Sequence, residues 1–248
     1  MSTACTVLSP FPPSVQAPAA KYGPVAGRCA ATGWAIRQAT CNDVDDLARI
    51  HADSLPGDFL VRLGPAFLKH ILFPSLLAAP NTCVYVAERV DGGCGIAPAG
   101  VAGLLVTRTA LAGVLGDILR CRPLCFAVVA SVAITRHPSL LAGVAGVLSQ
   151  LRTRGSMPSD GRTAELFLMA VDPKARRQGA GRALIRHSAE DLWRIGILSY
   201  RVLLHAENAA ADSLYRNAGF VERCVHQFGG RSWRERERSL SGPDSVGI

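Results

Sequence analysis

Short stretches of alternating apolar and polar residues are separated in this chain by longer stretches in which apolar residues recur at helical spacing. The alternation predicts strands over residues 33–40, 82–90, 99–108, 163–173 and 200–208. Helical spacing predicts helices over residues 40–55, 64–79, 179–197 and 210–220. A hairpin around Gly229 and Gly230 is predicted to close the domain. This order predicts an α/β (α+β) fold, with a mixed sheet of about six or seven strands flanked by helices.

Single residues at the ends of these elements support the predicted boundaries. Thr40 or Asn42 can cap the first helix and Asn208 the last, because their side chains accept hydrogen bonds from first-turn N–H groups. Gly219 is predicted to end that last helix. Pro74 is predicted to kink or end the second helix, since proline has no N–H to donate.

Residues 109–160 are apolar and are interrupted by Pro123 and Pro138. No stretch in them reaches the roughly 18 apolar residues of a membrane-spanning helix, so we predict a helical insertion of two or three short helices. Three roles stay open for it: extending the core, lining a substrate or partner site, and shallow membrane contact. The predicted organisation is a flexible tail over 1–32, one domain over 33–239 and a second tail over 240–248.

The charge of the chain favours an anionic partner. It carries 27 basic and 19 acidic residues, a net charge of +8, and the basic residues cluster in 174–186 and 231–238. In the second cluster, "RSWRERERSL", the charges alternate in sign, which predicts a solvated surface or ion pairs between strands. We therefore expect no nucleic-acid partner.

The eight cysteines do not form a recognisable framework. No CxxC pair occurs, and although Cys121 and Cys125 lie four residues apart, no second pair of cysteines or histidines completes a zinc pattern. The sequence thus predicts free thiols in a reducing cytosol and no metal site. Residues 1–33 lack the charged start and apolar core of a secretory signal, so a cytoplasmic protein without a transmembrane segment is expected.

The most informative stretch is "VDPKARRQGAGR" at 171–182, which joins a predicted strand to a predicted helix. A helix N-terminus exposes unpaired N–H groups and carries partial positive charge, and glycines let the backbone approach an anion closely. Three arginines add formal charge, so the junction resembles a phosphate cradle. It is not a Walker A loop, because no Lys-Ser/Thr pair follows the glycines. Nor is it a dinucleotide fingerprint, because Leu184 occupies the third glycine position.

Two motifs together resemble those of the GNAT superfamily, the Gcn5-related N-acetyltransferases. The first is R-x-x-G-x-G at 176–181, and the second is N-x-x-A-x-x-x-Y-x-x-x-G-F at 208–220. The resemblance covers 163–221 most strongly and agrees in element order over 33–108 and 221–239, whereas 109–160 has no counterpart in the simplest members. It implies an acyl-CoA-dependent N-acetyltransferase that uses acetyl-CoA as co-substrate.

The resemblance also implies which residues hold acetyl-CoA. Backbone N–H groups of the 177–182 loop would bind its pyrophosphate, with Arg176 adding charge. Met169 and Val171 would offer main-chain groups to the thioester and pantetheine, the Met169 N–H polarising the carbonyl. Asn208 would hydrogen-bond the cofactor or serve only as a helix cap. The implied cofactor-binding residues are Met169, Val171, Arg176, Arg177, Gln178, Gly179, Ala180, Gly181, Arg182 and Asn208.

Two catalytic residues are implied as well. Tyr215 is the candidate general acid, because a phenol stays protonated at neutral pH and can protonate the departing thiolate. Glu165 is the candidate general base, and strand alternation predicts that it shares a face with Phe167, Met169 and Val171. His205, within the next strand, is a second candidate base.

The acceptor is the least defined partner. The resemblance places its pocket near the loop after the first helix, where Asp53 and Asp58 can hold a cationic amine and Arg62 an anionic group. A small-molecule amine such as an amino sugar is preferred, attacked directly in a ternary complex. A protein or peptide acceptor stays open, as does a non-catalytic CoA-binding interaction module. The oligomeric state is not decided, and a homodimer stays open.

Overall fold

A computed structural model of the chain describes residues 27–29, 33–79, 82–90, 100–108, 162–228 and 230–241. The predicted α/β fold with a mixed sheet flanked by helices is confirmed. The helices predicted over 109–160 lie outside the described residues. No helix in the described part of the chain combines the length and hydrophobicity that crossing a bilayer requires.

The sheet has eight strands in the described residues, ordered β1-β2-β3-β4-β5-β6-β8-β7. All neighbouring pairs run antiparallel except β5 and β6, which are parallel. The strands are β1 Gly27–Cys29, β2 Trp34–Gln38, β3 Thr82–Arg89, β4 Val101–Arg108, β5 Thr163–Val171, β6 Ser199–His205, β7 Val221–Phe228 and β8 Arg231–Ser239.

The helices follow the predicted pattern with two local differences, an additional short helix at Phe59–Arg62 and a π-helical segment at Leu68–Leu72. They are α1 Val44–Ser54, α2 Phe59–Arg62, α3 (the consecutive segments Pro65–Phe67, Leu68–Leu72 and Phe73–Ala78), α4 Ala180–Arg194 and α5 Ala209–Asn217. Pro74 does not end α3, because it lies at the start of the α-helical segment Phe73–Ala78, directly after the π-helical segment Leu68–Leu72. A π segment widens the helix locally, which lets the chain continue past a proline that cannot donate a hydrogen bond.

The first strand lies within the segment predicted as an N-terminal tail. Gly27–Cys29 lies within 1–32 and pairs antiparallel with β2, adding an edge strand beyond the predicted six or seven. Three residues are too few to show an alternating pattern, so the sequence carried no signal for this strand. At the other end Leu240 is buried, and its N–H donates to the Leu198 carbonyl (2.8 Å), which extends the domain beyond residue 239.

Helices cover the two faces of the sheet with two separate cores. One core lies between the sheet and α4 and α5, and includes Leu184, Tyr200 and Tyr215. The other lies between the sheet and α1 and α3, and includes Leu47 and Phe67. We call these sides of the sheet the α4–α5 face and the α1–α3 face.

A β-bulge in β5 changes which side chains share a face. β4 pairs with β5 in steady register except at Phe167, which has no partner between Val106–Leu168 and Thr107–Leu166. As a result Leu166 packs into the core on the α4–α5 face, whereas Leu168 packs on the α1–α3 face. The prediction that Glu165 shares a face with Met169 and Val171 is therefore wrong. The extra residue reverses the alternation, as bulges do.

The parallel strands β5 and β6 are hydrogen-bonded along only part of their length. β5 and β6 are paired only over residues 163–166 and 199–202. β5 then continues to Val171 and β6 to His205. The two strands diverge beyond Leu166 and Val202, and the gap between them, which we call the splay gap, opens toward the N-terminus of α4.

Candidate active site

The loop between β5 and α4 turns sharply through two left-handed residues. Arg177 has φ +61° and Gly179, the residue before α4, has φ +89°. The Asp172 carboxylate accepts a hydrogen bond from the Lys174 N–H (2.9 Å), and this bond together with Arg49 lowers the pKa of Asp172. The loop thus ends in a conformation that aims the first turn of α4 at the mouth of the splay gap.

The N-terminus of α4 has the features of an anion site. No side chain caps it and no acidic residue lies in its first turn. The first N–H to bond inside the turn is that of Ala183, to the Gly179 carbonyl (3.0 Å), so the N–H groups before it are available. The side chains of Arg176, Arg177 and Arg182 are close by in sequence and exposed. Helix dipole and guanidinium charges act in the same direction, toward binding of a phosphate.

Contacts from the neighbouring strands hold this loop in place. Trp34 on β2 donates its indole N–H to the Gln178 carbonyl (2.7 Å), and Arg89 on β3 donates to the Gln178 side-chain oxygen (2.9 Å). The Gln178 amide nitrogen donates to the Lys174 carbonyl (2.9 Å). The side chain of Gln178 therefore organises the loop, and Trp34 and Arg89 are supporting residues that sequence reasoning missed. Their distance along the chain left no local signal.

Main-chain groups of β5 face the splay gap. The Asp172 N–H donates to the Ala102 carbonyl on β4 (2.9 Å). Because main-chain groups alternate in direction along a strand, Val171 and Met169 direct theirs to the opposite edge. The Val171 carbonyl already accepts bonds from the Ser54 hydroxyl (2.9 Å) and the Arg176 Nε (3.2 Å). Within the described part of the chain, the N–H of Val171 and the main chain of Met169 therefore remain to meet a ligand in the gap.

Gly181 is where the two sequence motifs meet. A Cβ at this position would lie 3.3 Å from Leu214 Cδ2 on α5, 3.8 Å from Val171 Cγ2 and 4.0 Å from Met169 Cε. The absence of a side chain lets α4 approach α5 and β5 closely. The basic loop and the helix that carries Tyr215 are thereby brought to the same end of the splay gap.

The two α5 residues singled out from the sequence have distinct surroundings. Asn208 caps α5, its side-chain oxygen accepting from the Ala211 N–H (3.1 Å), so the predicted capping role is confirmed. Tyr215 is only 4% exposed and packs edge-to-face on Phe220, with ring centroids 5.5 Å apart. Burial raises the pKa of Tyr215, so its phenol stays protonated at neutral pH.

The two candidate bases lie on the face of the sheet opposite Tyr215. Glu165 is paired in register with Arg201, in the closed part between β5 and β6. His205 lies at the end of β6, three residues beyond the last pair, and stacks on Trp233 with ring centroids 3.7 Å apart. Burial, and more weakly Arg231, lowers the pKa of His205, which keeps its imidazole neutral and able to accept a proton.

The predicted acceptor residues are only partly available. The Asp58 carboxylate caps α2 by accepting from the Leu60 N–H (2.6 Å), while Asp53 and Arg62 are exposed. His51 was not singled out from the sequence. Its ring is fully buried, with Nε2 3.9 Å from the Asp58 carboxylate, and burial lowers its pKa.

The site thus combines a strand, a basic turn with two left-handed residues and an uncapped helix N-terminus beside a parallel strand pair that separates. Residues 134–222 match the family model for the acetyltransferase (GNAT) domain. The predicted resemblance to this superfamily is thus confirmed, and the fold is shared with its solved members.

Two proteins with similar sequences have different named activities. The chain is 42% identical over 64 residues to the ribosomal protein bS18-alanine N-acetyltransferase of Escherichia coli K12, covering 26% of this chain and 43% of that protein. It is 37% identical over 71 residues to the mycothiol acetyltransferase of Beutenbergia cavernae, covering 28% and 24%. These alignments span less than half the length of either relative. The crystal structure of the S18-alanine enzyme from E. coli superimposes with a TM-score of 0.51 at 18% identity, covering 87% of this chain and 99% of that one.

Proposed function

We propose that this protein is an N-acetyltransferase that moves an acetyl group from acetyl-CoA to a primary amine by direct attack in a ternary complex. The observation that carries the proposal is the uncapped, arginine-flanked N-terminus of α4 at the mouth of the splay gap. A pyrophosphate suits this site because the first N–H groups of α4 are unbonded within the helix and three exposed arginines lie in or beside the loop. The acetyltransferase names of the relatives support the same activity.

Within this proposal each residue of the site has a defined task. The loop over 177–182 and Arg176 hold the pyrophosphate. Val171 N–H and Asn208 position the pantetheine arm, and the Met169 N–H donates to the thioester carbonyl oxygen, where negative charge develops. The amine forms the new C–N bond as the C–S bond breaks. Tyr215 then gives its proton to the departing sulfur.

The proton released by the amine goes to a base on the α1–α3 face, opposite Tyr215. Met169 on β5 and His205 on β6 each lie three residues beyond the last paired residue of their strand. They are therefore at similar distances along the two strands that border the splay gap. Glu165 lies four residues before Met169, about 13 Å along a regular strand, so it would act through water. We propose that His205 accepts this proton directly, and that Glu165 is the alternative base, which would receive it through water.

The pH dependence distinguishes these two bases. A base must be deprotonated to act, and the pKa of His205 is lowered, so the acid limb of kcat/KM should lie below the ordinary histidine pKa of about 6.5. His205→Gln should remove this limb and reduce kcat by about 10²-fold or more. If the acid limb of the kcat/KM profile were unchanged in His205→Gln but lost in Glu165→Gln, Glu165 would be the base.

The acceptor class is tested by a turnover screen. Purified protein is mixed with acetyl-CoA and panels of amino sugars, polyamines and amino-terminal peptides, and thiol release is followed. We propose a small-molecule amine as first candidate. An alanine-terminated peptide is the second, favoured by the name of the bS18-alanine relative. Turnover of peptides without any small amine would contradict the first. Acetyl-CoA binding with no turnover in any panel would favour a non-catalytic binding module.

A further inference from the structure

Three side chains with metal-binding chemistry meet on the hairpin formed by β7 and β8. The Cys224 Sγ lies 3.1 Å from the His226 Nε2 and 3.5 Å from a Glu235 carboxylate oxygen, Oε2. The same Glu235 oxygen lies 2.8 Å from the His226 Nε2. Cys224 is exposed, while His226 and Glu235 are half-buried. The three donor atoms thus surround one common point that solvent can reach.

The register of the hairpin produces this meeting. Cys224 is directly opposite Glu235, and His226 is two residues further along β7, on the same side. A bulge at Arg223 shifts the register between Glu222 and Cys224, so that Cys224 faces the carboxylate. The sequence shows only a Cys-x-His pair and a distant glutamate, and for that reason it predicted no metal site.

The geometry differs from that of a thiol–imidazole–carboxylate relay. A relay uses both ring nitrogens of the histidine, one toward the thiol and one toward the carboxylate. Here a single nitrogen, Nε2, faces both Cys224 and Glu235. Convergence of three donors on one point is the arrangement that a cation requires.

The donor set and its dimensions indicate the class of cation. Thiolate and imidazole ligands favour zinc-like divalent ions over magnesium or calcium. Tetrahedral zinc with bonds of about 2.0–2.3 Å separates its donors by about 3.4–3.6 Å. The separations of 2.8, 3.1 and 3.5 Å therefore require movements of about 0.6 Å or less, which side-chain rotations supply.

The charges around the cluster are compatible with such an ion. A thiolate and a carboxylate with a neutral imidazole carry two negative charges, which one divalent cation neutralises. The nearest basic groups have other acidic partners: Arg201 lies 3.6 Å from Glu237 as well as 3.8 Å from Glu235, and Arg223 bonds Glu237 at 2.7 Å. A cation bound at Cys224 would therefore not be repelled by an arginine that lacks an acidic partner of its own.

We propose that Cys224, His226 and Glu235 form a binding site for one Zn²⁺-class ion, with its fourth position open to water, which clamps β7 to β8. The site lies outside the splay gap and does not depend on the proposed acetyltransferase activity. Two strands joined by a metal would resist fraying at this edge of the sheet, since binding to the folded state alone stabilises it.

Cobalt titration of the reduced, metal-free full-length protein tests the site. The wild type should bind one equivalent of Co²⁺ with a thiolate-to-cobalt charge-transfer band and visible bands of tetrahedral intensity, and Zn²⁺ should displace both. Cys224→Ser should remove the charge-transfer band. The affinity of this variant for Co²⁺ should fall by more than about 10–100-fold, which is the usual effect of changing a residue that only supports a metal ligand. Zn²⁺ should raise the Tm of the wild type, and a chelator should reverse the rise.

Cys41→Ser is the matched control, because Cys41 is also an exposed free thiol but lies far along the chain from the hairpin. It should keep the band, the affinity and the Tm response. His226→Gln and Glu235→Gln should weaken binding while keeping a thiolate band, which serves if Cys224→Ser does not fold. A wild type without the band, or a Cys224→Ser variant with the same band and affinity, would overturn the proposal.

Discussion

Replacing Tyr215 by phenylalanine is expected to reduce kcat by about 10²–10⁴-fold, the usual contribution of a general acid. The KM for acetyl-CoA should change little, because the phenol acts on the departing sulfur rather than on the pyrophosphate. Packing should be kept, since the ring of Tyr215 lies on Phe220 in the core and phenylalanine has the same shape. Steady-state kinetics with a turned-over amine and thermal unfolding of both proteins measure these effects.

Tyr200→Phe is the matched control for this experiment. Tyr200 belongs to the same core, is fully buried, and its hydroxyl forms a hydrogen bond with the Ser188 hydroxyl (3.2 Å). Its loss should lower the free energy of unfolding by about 1 kcal/mol and leave kcat unchanged. Equal losses of kcat in the two variants would mean that Tyr215 acts through packing alone. Because burial raises the pKa of Tyr215, its ionisation should not limit the rate below about pH 10.

Gly181→Glu is expected to weaken CoA binding by at least about 100-fold, equivalent to about 2.8 kcal/mol. The new side chain begins 3.3 Å from Leu214, where α4 and α5 meet, and it places a negative charge beside the proposed pyrophosphate site. Excess CoA at about 100 times its Kd would stabilise the wild type by about 2.7 kcal/mol. That stabilisation should be lost in the variant, as measured by thermal unfolding with and without CoA.

Two further substitutions separate the effect of the added negative charge from the effect of the added side-chain volume at Gly181. Gly57→Glu makes the same charge change where a Cβ meets nothing within 4 Å, and CoA should stabilise this variant as it does the wild type. Gly181→Ala adds only the Cβ beside Leu214, so its loss of affinity should be smaller than that of Gly181→Glu. If CoA stabilised Gly181→Glu and wild type equally, the phosphate site would have to lie elsewhere.

Much of the fold could be predicted because its helices and strands have clear local patterns. The amphipathic spacing that predicts α4 and the Asn208 cap that begins α5 are properties of adjacent residues, and both are confirmed. Ion pairing between strands is also confirmed within 231–238, because Glu237 on β8 accepts from Arg223 on β7 (2.7 Å). Arg236 pairs instead with Asp212 on helix α5 (2.8 Å). The strand Gly27–Cys29 is stabilised by its neighbour β2 rather than by its own composition, so nothing local predicted it.

The residues of the candidate site stay a prediction, and one part of their predicted arrangement is wrong. The R-x-x-G-x-G and N-x-x-A-x-x-x-Y motifs identified the loop, Gly181 and Tyr215, because each motif lies within one turn or one helix. The face of Glu165 was predicted wrongly, because one unpaired residue, Phe167, reverses the alternation of β5. The anchoring of the loop by Trp34 and Arg89 joins residues more than 80 positions apart and has no counterpart in a local pattern.

By itself, the sequence determined the order of the elements, the basic turn before α4, the cap of α5 and the family resemblance, since these depend on neighbours along the chain. Only the tertiary structure decided where β5 and β6 separate, which face Glu165 occupies, and that Cys224, His226 and Glu235 meet on one hairpin. Each of these depends on strand register. Register is decided by the packing of whole strands against both cores, and a shift of one residue moves every side chain to the other face.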